Sequence, residues 1–107
     1  MLKQLNNCSA WYNNVTLKSY STIVAFFNVN NQKFYLYRYP SNTTARHFHK
    51  FFKRLGVHGM FEFLYNQALK NKFSYVCGYW GVDGSMVCEK ITEASYYEAL
   101  DGMRGLL

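Results

Sequence analysis

The chain has 107 residues, of which 50% are hydrophobic and 20% aromatic. A chain of this length forms one domain, residues 1–107, and buries enough surface to fold without a disulfide framework or a structural metal. The aromatic content excludes an intrinsically disordered chain. No apolar run reaches the roughly 18–20 residues of a membrane span.

Charge is unevenly distributed along the chain. The formal net charge is +6, but residues 1–61 carry eight basic residues and no acid, whereas residues 62–107 carry four basic and six acidic residues. The concentration of positive charge in the first part of the chain favours an anionic partner: a nucleic acid, an acidic protein surface or an anionic membrane. The alternative interpretation is that the basic residues only keep a helix face solvated.

Cysteine usage and the N-terminus predict a protein of the reducing cytoplasm. Cys8, Cys77 and Cys88 are odd in number and form no Cys-x-x-Cys pair. Positions 1–10 lack the apolar core of a secretory signal.

The first third of the chain predicts an irregular segment followed by a β-hairpin. Residues 1–18 are rich in asparagine and without a clear period, apart from a short strand expected around residues 15–17. Residues 22–39 are β-branched and aromatic, which predicts a hairpin turning at Asn30-Asn31. In that register the core-facing side holds Ile23, Ala25, Phe27, Phe34 and Leu36. The other side holds Val24, Phe26 and Lys33 with a row of tyrosines that we expect to be half exposed, namely Tyr35, Tyr37 and Tyr39.

Residues 44–55 predict an amphipathic helix. Phe48, Phe51, Phe52 and Leu55 recur at helical spacing and form its inner stripe. Residues 41–44 offer N-caps, and Gly56 suits the C-terminal end. The outer side is basic and carries Arg46, His49, Lys50, Lys53 and Arg54.

The remaining elements are a second helix over 59–71, a second hairpin over 73–91 and a final helix over 93–104 that starts at Thr92. A turn at Asp83-Gly84 sets Trp80 opposite Val87. Cys77 and Cys88 then share one face; a longer loop would set them directly opposite each other. The predicted fold class is α+β, in the order ββααββα: two hairpins in a mostly antiparallel sheet, with about three helices against one face.

No catalytic, metal or cofactor site is expected. His47 and His49 point about 200° apart on a helix and cannot share an ion. No spacing brings a cysteine to His58, and no Ser-His-Asp or Cys-His pattern is present. His47 is expected to be a packing or hydrogen-bonding residue.

The basic helix and its neighbouring tyrosines are the one group of residues in the sequence that indicates a function. Cationic side chains can contact phosphates, and tyrosines can stack on bases or fill an interface. The predicted partner-binding residues on the basic side are Arg46, His49, Lys50, Lys53, Arg54, Lys33 and Arg38. Those on the aromatic side are Tyr35, Tyr37 and Tyr39.

Residues 19–52 resemble a recurring small domain encoded by bacteriophages. The similarity lies in the pattern S-Y-x-T-x-V-A at 19–25, the aromatic strand 34–39, and S-x-T-T-x-x-H-x-x-x-F at 41–51. The resemblance implies a phage or mobile-element setting in a low-GC bacterium, and no activity. It also implies that Thr43 or Thr44 caps the helix and that His47 anchors it to the hairpin.

Two functions follow as hypotheses. The first is a phage accessory protein of the anti-CRISPR type, which inhibits a host defence system by stoichiometric binding to an effector protein or its RNA complex in the host bacterial cytoplasm. An inhibitor that mimics DNA would be acidic. Because this chain is basic, it would instead bind an acidic face of the effector, or the effector together with its RNA. The second is a non-enzymatic accessory protein that binds DNA or RNA with the basic helix and the aromatic strand face. Neither involves a membrane, and both leave the oligomeric state open.

Overall fold

The computed structural model describes residues 2–5, 8–13, 15–55 and 59–103. Its elements follow the order βββββααββα. The strands are β1 (Lys3–Gln4), β2 (Ala10–Asn13), β3 (Thr16–Ser19), β4 (Thr22–Asn28), β5 (Lys33–Tyr37), β6 (Tyr75–Trp80) and β7 (Met86–Lys90). The helices are α1 (Asn42–Leu55), α2 (Met60–Asn71) and α3 (Glu93–Asp101). The predicted roles of Gly56 and His58 fall outside the described residues.

All seven strands form one antiparallel sheet in which each strand pairs with the next along the chain. The α+β class is therefore confirmed, whereas the prediction of an irregular segment over residues 1–18 is wrong, because this segment supplies β1, β2 and β3. The Asn13 side-chain oxygen accepts the Val15 N–H at 2.9 Å where the chain passes from β2 to β3. Leu17 and Ala10 are fully buried in the core on the α1 and α2 side of the sheet.

The helices cover both faces of the sheet, which corrects the prediction that they pack against one face. Helices α1 and α2 bury the face that carries Ala25, Leu36 and Val76. Helix α3 covers the opposite face, where Tyr96 packs with Phe26, Tyr35 and Cys77. The Tyr96 hydroxyl donates to the Ile23 carbonyl at 2.6 Å, so its polar end is satisfied in the core.

The first hairpin has the predicted register, with Ala25 opposite Leu36. Its turn differs from the predicted one, since Gln32 and not an asparagine adopts positive φ, at 58°. A bulge opposite Leu17 and Lys18 shifts the pleat of β4. For this reason Ile23 packs on the α3 side and Val24 on the α1 side, the reverse of the prediction.

The second hairpin is shifted by one residue from the predicted register. Trp80 pairs with Met86, because the chain turns over residues 82–84 with Gly84 at φ 83°. A shift of one residue moves side chains to the other face. Cys88 therefore packs on the α1 and α2 side while Cys77 lies under α3, and the prediction that they share a face is wrong.

The helix boundaries agree with the predictions at the starts of α2 and α3. Thr92 caps α3 by accepting the Ser95 N–H at 3.0 Å, as predicted. Helix α1 starts at Asn42 because Ser41 Oγ accepts the Thr44 N–H at 3.0 Å, so Ser41 is its cap, in place of Thr43 or Thr44.

Candidate functional site

The outer face of α1 presents a continuous positive surface. We call Arg46, His49, Lys50, Lys53 and Arg54 the α1 basic surface. Lys50 is half-buried and the other four side chains are exposed, because the phenylalanine stripe occupies the opposite side of the helix. The sequence of α1 contains no acidic residue that would offset these charges. The predicted orientation of the four Lys and Arg side chains agrees with the structure, and their role in binding stays a prediction.

Four of the six acidic residues lie on the other side of the sheet, whereas Glu62 lies on α2, on the same side as α1. Glu93, Glu98 and Asp101 are exposed on α3. Glu89 pairs with Cys77 and so projects from the face that α3 covers. The α1 side of the sheet is therefore richer in cationic side chains, and the α3 side is richer in acidic ones.

Lys33 and Arg38 do not belong to the α1 basic surface. Lys33 lies on the α3 side of the sheet, the side of β5 predicted for it, where its Nζ is 5.2 Å from the centroid of the Tyr79 ring. Arg38 is half-buried, and its Nε donates to the Phe73 carbonyl at 3.1 Å. Arg38 also lines an open groove beside the start of α1, together with Tyr65 and Leu69.

The row of tyrosines on β5 is not an open stacking surface, contrary to the prediction. Tyr35 is buried beneath α3 and stacks on Phe26, with 5.0 Å between ring centroids. Tyr37 is half-buried and stacks on Tyr75 at 4.3 Å. The alternation along β5 predicted a common face for these rings, but α3 covers that face. Tyr39, just beyond β5, is the one predicted tyrosine that remains exposed.

A buried hydrogen-bond network joins β3 to α1. The Ser19 Oγ lies 2.7 Å from His47 Nδ1 and 3.1 Å from Thr44 Oγ1, and all three residues are buried. Burial lowers the pKa of His47, and the nearby Lys50 and Arg46 lower it further, so the ring is neutral at pH 7. His47 is therefore a buried hydrogen-bonding residue, as predicted, and its partner Ser19 lies in β3 and not in the predicted hairpin.

The two halves of the serine- and threonine-rich pattern meet at one pocket above this network. Its volume is about 370 Å³. Its walls come from the β3–β4 turn and from the connection between β5 and α1. The lining residues are Ser19, Tyr20, Ser21, Thr22, Tyr39, Ser41, Thr43 and Thr44. Sequence reasoning missed this pocket, although the hydroxyl-rich composition of both segments was a usable signal.

Two further properties of the described residues concern metal ligands and cysteines. Within the described ranges, no group of three or more His, Cys, Asp and Glu side chains could hold a metal ion. Burial raises the pKa of Cys88 to about 11 and also raises that of Cys77, which keeps both as thiols at neutral pH. In the part of the chain that the structure covers, none of the helices has the length and apolarity needed to cross a membrane.

Comparison with known proteins gives one finding. The family model for DUF8033, described as a family of unknown function, matches residues 1–70. No curated protein and no solved structure matches the chain. The matched part contains β1 to β5, α1 and the pocket, whereas β6, β7 and α3 lie outside it.

Proposed function

The chain belongs to DUF8033, a family of unknown function, and we propose that it is a binding protein that docks a polyanionic partner on the α1 basic surface. The observation that carries the proposal is the separation of charge across the sheet. Five basic or histidine side chains lie on α1, and the exposed acids of α3 lie on the far side of the sheet. Such a field orients an anionic partner toward α1 before contact.

The spacing of the cations suits a phosphate backbone. Arg46 and Lys53 are seven residues apart, which is about 10 Å along a helix and the axial distance of about three phosphates on one duplex strand. Contacts of this kind position a nucleic acid without reading its sequence. The burial of Tyr35 and Tyr37 removes base stacking on β5 from the possible contacts.

The partner we favour is the ribonucleoprotein of a host defence effector, which the protein would inhibit by stoichiometric binding as anti-CRISPR proteins do. Two features support this choice: the resemblance of residues 19–52 to phage-encoded domains, and the basic surface, which matches RNA held in such a complex. The second candidate is a non-enzymatic accessory protein that binds free RNA or DNA. The same surface favours it, and no catalytic step belongs to either function.

The test reverses the charge of the α1 basic surface in the variant Arg46→Glu/Lys50→Glu/Lys53→Glu. The matched control, Lys3→Glu/Lys70→Glu/Lys90→Glu, has the same net charge and changes exposed residues elsewhere. We expect the α1 variant to lose affinity for single-stranded RNA and duplex DNA, and the control to retain most of it. The slope of log K against log salt should also be shallower for the α1 variant than for the wild type. The expected difference is about 0.9 for each phosphate of duplex DNA that the variant no longer neutralises.

A phage plaque assay in a bacterium with an active CRISPR system separates the two candidates. Rescue of plaque formation by the wild type, and not by the α1 variant, supports inhibition of the effector. Nucleic-acid affinity without rescue supports the accessory protein. Equal behaviour of the α1 variant, the control and the wild type in every assay would contradict the proposal, provided circular dichroism shows that all three are folded.

A further inference from the structure

Two exposed aromatic side chains line the hydroxyl-rich pocket, one from each of its walls. Tyr20 belongs to the β3–β4 turn and is 53% exposed, and Tyr39 belongs to the β5–α1 connection and is 43% exposed. An exposed tyrosine offers a flat apolar surface on which a planar ring can stack. The pocket volume of about 370 Å³ falls within the usual range of small-molecule sites.

The remaining lining can recognise the edge of a planar polar group. Ser21, Thr22, Ser41 and Thr43 are among the lining residues and each carries a hydroxyl, that of Ser41 accepting the Thr44 N–H in the α1 cap. A hydroxyl both donates and accepts hydrogen bonds, so it can serve any of the donor and acceptor patterns that nucleobases present. The pocket has no carboxylate in its lining that would repel a phosphate attached to such a group.

Tyr20 occupies a backbone conformation that a tyrosine rarely adopts. It is the first residue of the two-residue turn between the paired residues Ser19 and Thr22, and its φ is 55°. Glycine is the common choice at such a position because a side chain is strained there. The Tyr20 ring lies at the pocket, with its centroid 5.7 Å from that of the His47 ring, and a strained residue of this kind is typical of a functional site.

The pocket is continuous with the α1 basic surface. Thr43 lines the pocket, and Arg46 follows three residues later on the same helix. The Arg46 Nε donates to the Asn42 carbonyl at 3.5 Å, which holds its guanidinium over the first turn of α1. A ligand in the pocket that continues into a phosphate chain would therefore meet the α1 basic surface.

From these features we propose that an unpaired base of a single-stranded nucleic acid stacks in the pocket against Tyr20 and Tyr39 while its phosphates lie along α1. This inference rests on the proposed function and specifies its ligand. The occupant must be unpaired because a base inside a duplex is not accessible to such a pocket. A neutral sugar could use the tyrosines and hydroxyls, but the adjoining cations favour a ligand with phosphates.

The test compares three fluorescent probes by anisotropy: a thymidylate dodecamer, an abasic dodecamer with the same sugar-phosphate chain, and a duplex of the same length. The variant is Tyr20→Gly/Tyr39→Ala, which removes both rings and places glycine where φ is positive. Trp80→Ala is the control, because Trp80 is 56% exposed and lies in β6, outside the pocket. Circular dichroism and urea unfolding verify that each variant is folded.

We expect the wild type and the Trp80→Ala control to bind the thymidylate dodecamer about tenfold more tightly than the abasic chain. The tyrosine variant should bind both single strands with nearly equal affinity and should retain its affinity for the duplex. The inference is overturned if the wild type does not distinguish the two single strands, or if the tyrosine variant still does. Displacement of the thymidylate probe by maltoheptaose would also overturn it, in favour of a sugar site.

Failure of the inference is distinguishable from failure of the proposed function. If the wild type binds all three probes equally while the Arg46→Glu/Lys50→Glu/Lys53→Glu variant loses binding, the base pocket is overturned. That result still supports binding by the α1 basic surface. Absence of binding to all three probes overturns the inference, and if the wild type also fails to rescue plaque formation, it overturns the proposed function as well.

Discussion

The Oγ of Ser19 lies 2.7 Å from Nδ1 of His47, although the two residues are 28 positions apart in the chain. The contact joins the end of β3 to the middle of α1 and is extended by Thr44, one turn earlier on the helix. It therefore fixes how α1 sits on the sheet. The α1 basic surface and the pocket both depend on that placement.

Replacing Ser19 should destabilise the fold. Ser19→Ala leaves two buried polar groups, on Thr44 and His47, without their shared partner, and we expect a loss of about 1–3 kcal/mol in the free energy of unfolding. Urea unfolding at neutral pH measures it. Ser21→Ala changes an exposed serine in the same turn and should stay within about 0.5 kcal/mol of the wild type. Equal stability of both variants would contradict the structural role of Ser19.

Stability should fall on mild acidification because of His47. Its pKa is lowered in the folded state by burial and by Lys50 and Arg46, so the unfolded chain binds a proton that the folded chain resists. The stability that a neutral His47 contributes is complete above about pH 6.5, the pKa of histidine in the unfolded chain. It is lost progressively as the pH falls toward the lower pKa that His47 has in the folded protein.

The measurement is the free energy of unfolding between about pH 7.5 and pH 5. His47→Gln should have a flatter profile than the wild type, whereas His49→Gln, which changes an exposed histidine on the same helix, should keep the wild-type slope. Identical slopes for the two variants would show that His47 is not the group responsible.

Gly78 permits the close approach of α2 to β6. A Cβ at this position would lie 2.6 Å from Leu64 Cδ2 and 3.0 Å from Met60 Sδ, and Leu64 is fully buried. Gly78→Ala should therefore cost about 1–3 kcal/mol through overpacking. Gly102→Ala is the matched control, since Gly102 has helical φ and its Cβ would meet only ordinary van der Waals neighbours, so this change should be neutral or slightly stabilising. Thermal unfolding of both variants gives the comparison.

The cysteines should remain free thiols without added reductant. Cys77 and Cys88 lie on opposite faces of the sheet, so a disulfide between them requires the β6–β7 pairing to break. Titration of the denatured protein should give three thiols, and in the native protein Cys77 and Cys88 should react slowly because Cys77 is buried and the pKa of Cys88 is raised to about 11. A single thiol after denaturation would contradict this arrangement.

Features that depend on local periodicity were predictable from the sequence. The spacing of Phe48, Phe51 and Phe52 requires a helix with one apolar side, and that side places Arg46 and Lys53 in solvent whatever the helix packs against. The register of the first hairpin was equally accessible, because its two apolar runs match around a short polar turn. These properties arise from residues a few positions apart, so the sequence alone contains the information.

Features that depend on distant contacts were not predictable in this way. Strand alternation shows that Tyr35 and Leu36 point to opposite faces, but only the packing of α3 shows that the Tyr35 face is buried. The shift in the second hairpin depends on the loop conformation that Gly84 adopts at φ 83°. The pocket combines Tyr20 with Tyr39 across a strand pair, and the Ser19–His47 bond is what sets α1 beside that turn. Their common physical reason is that the covering of a face is a property of the assembled sheet and helices, which no local period in the chain encodes.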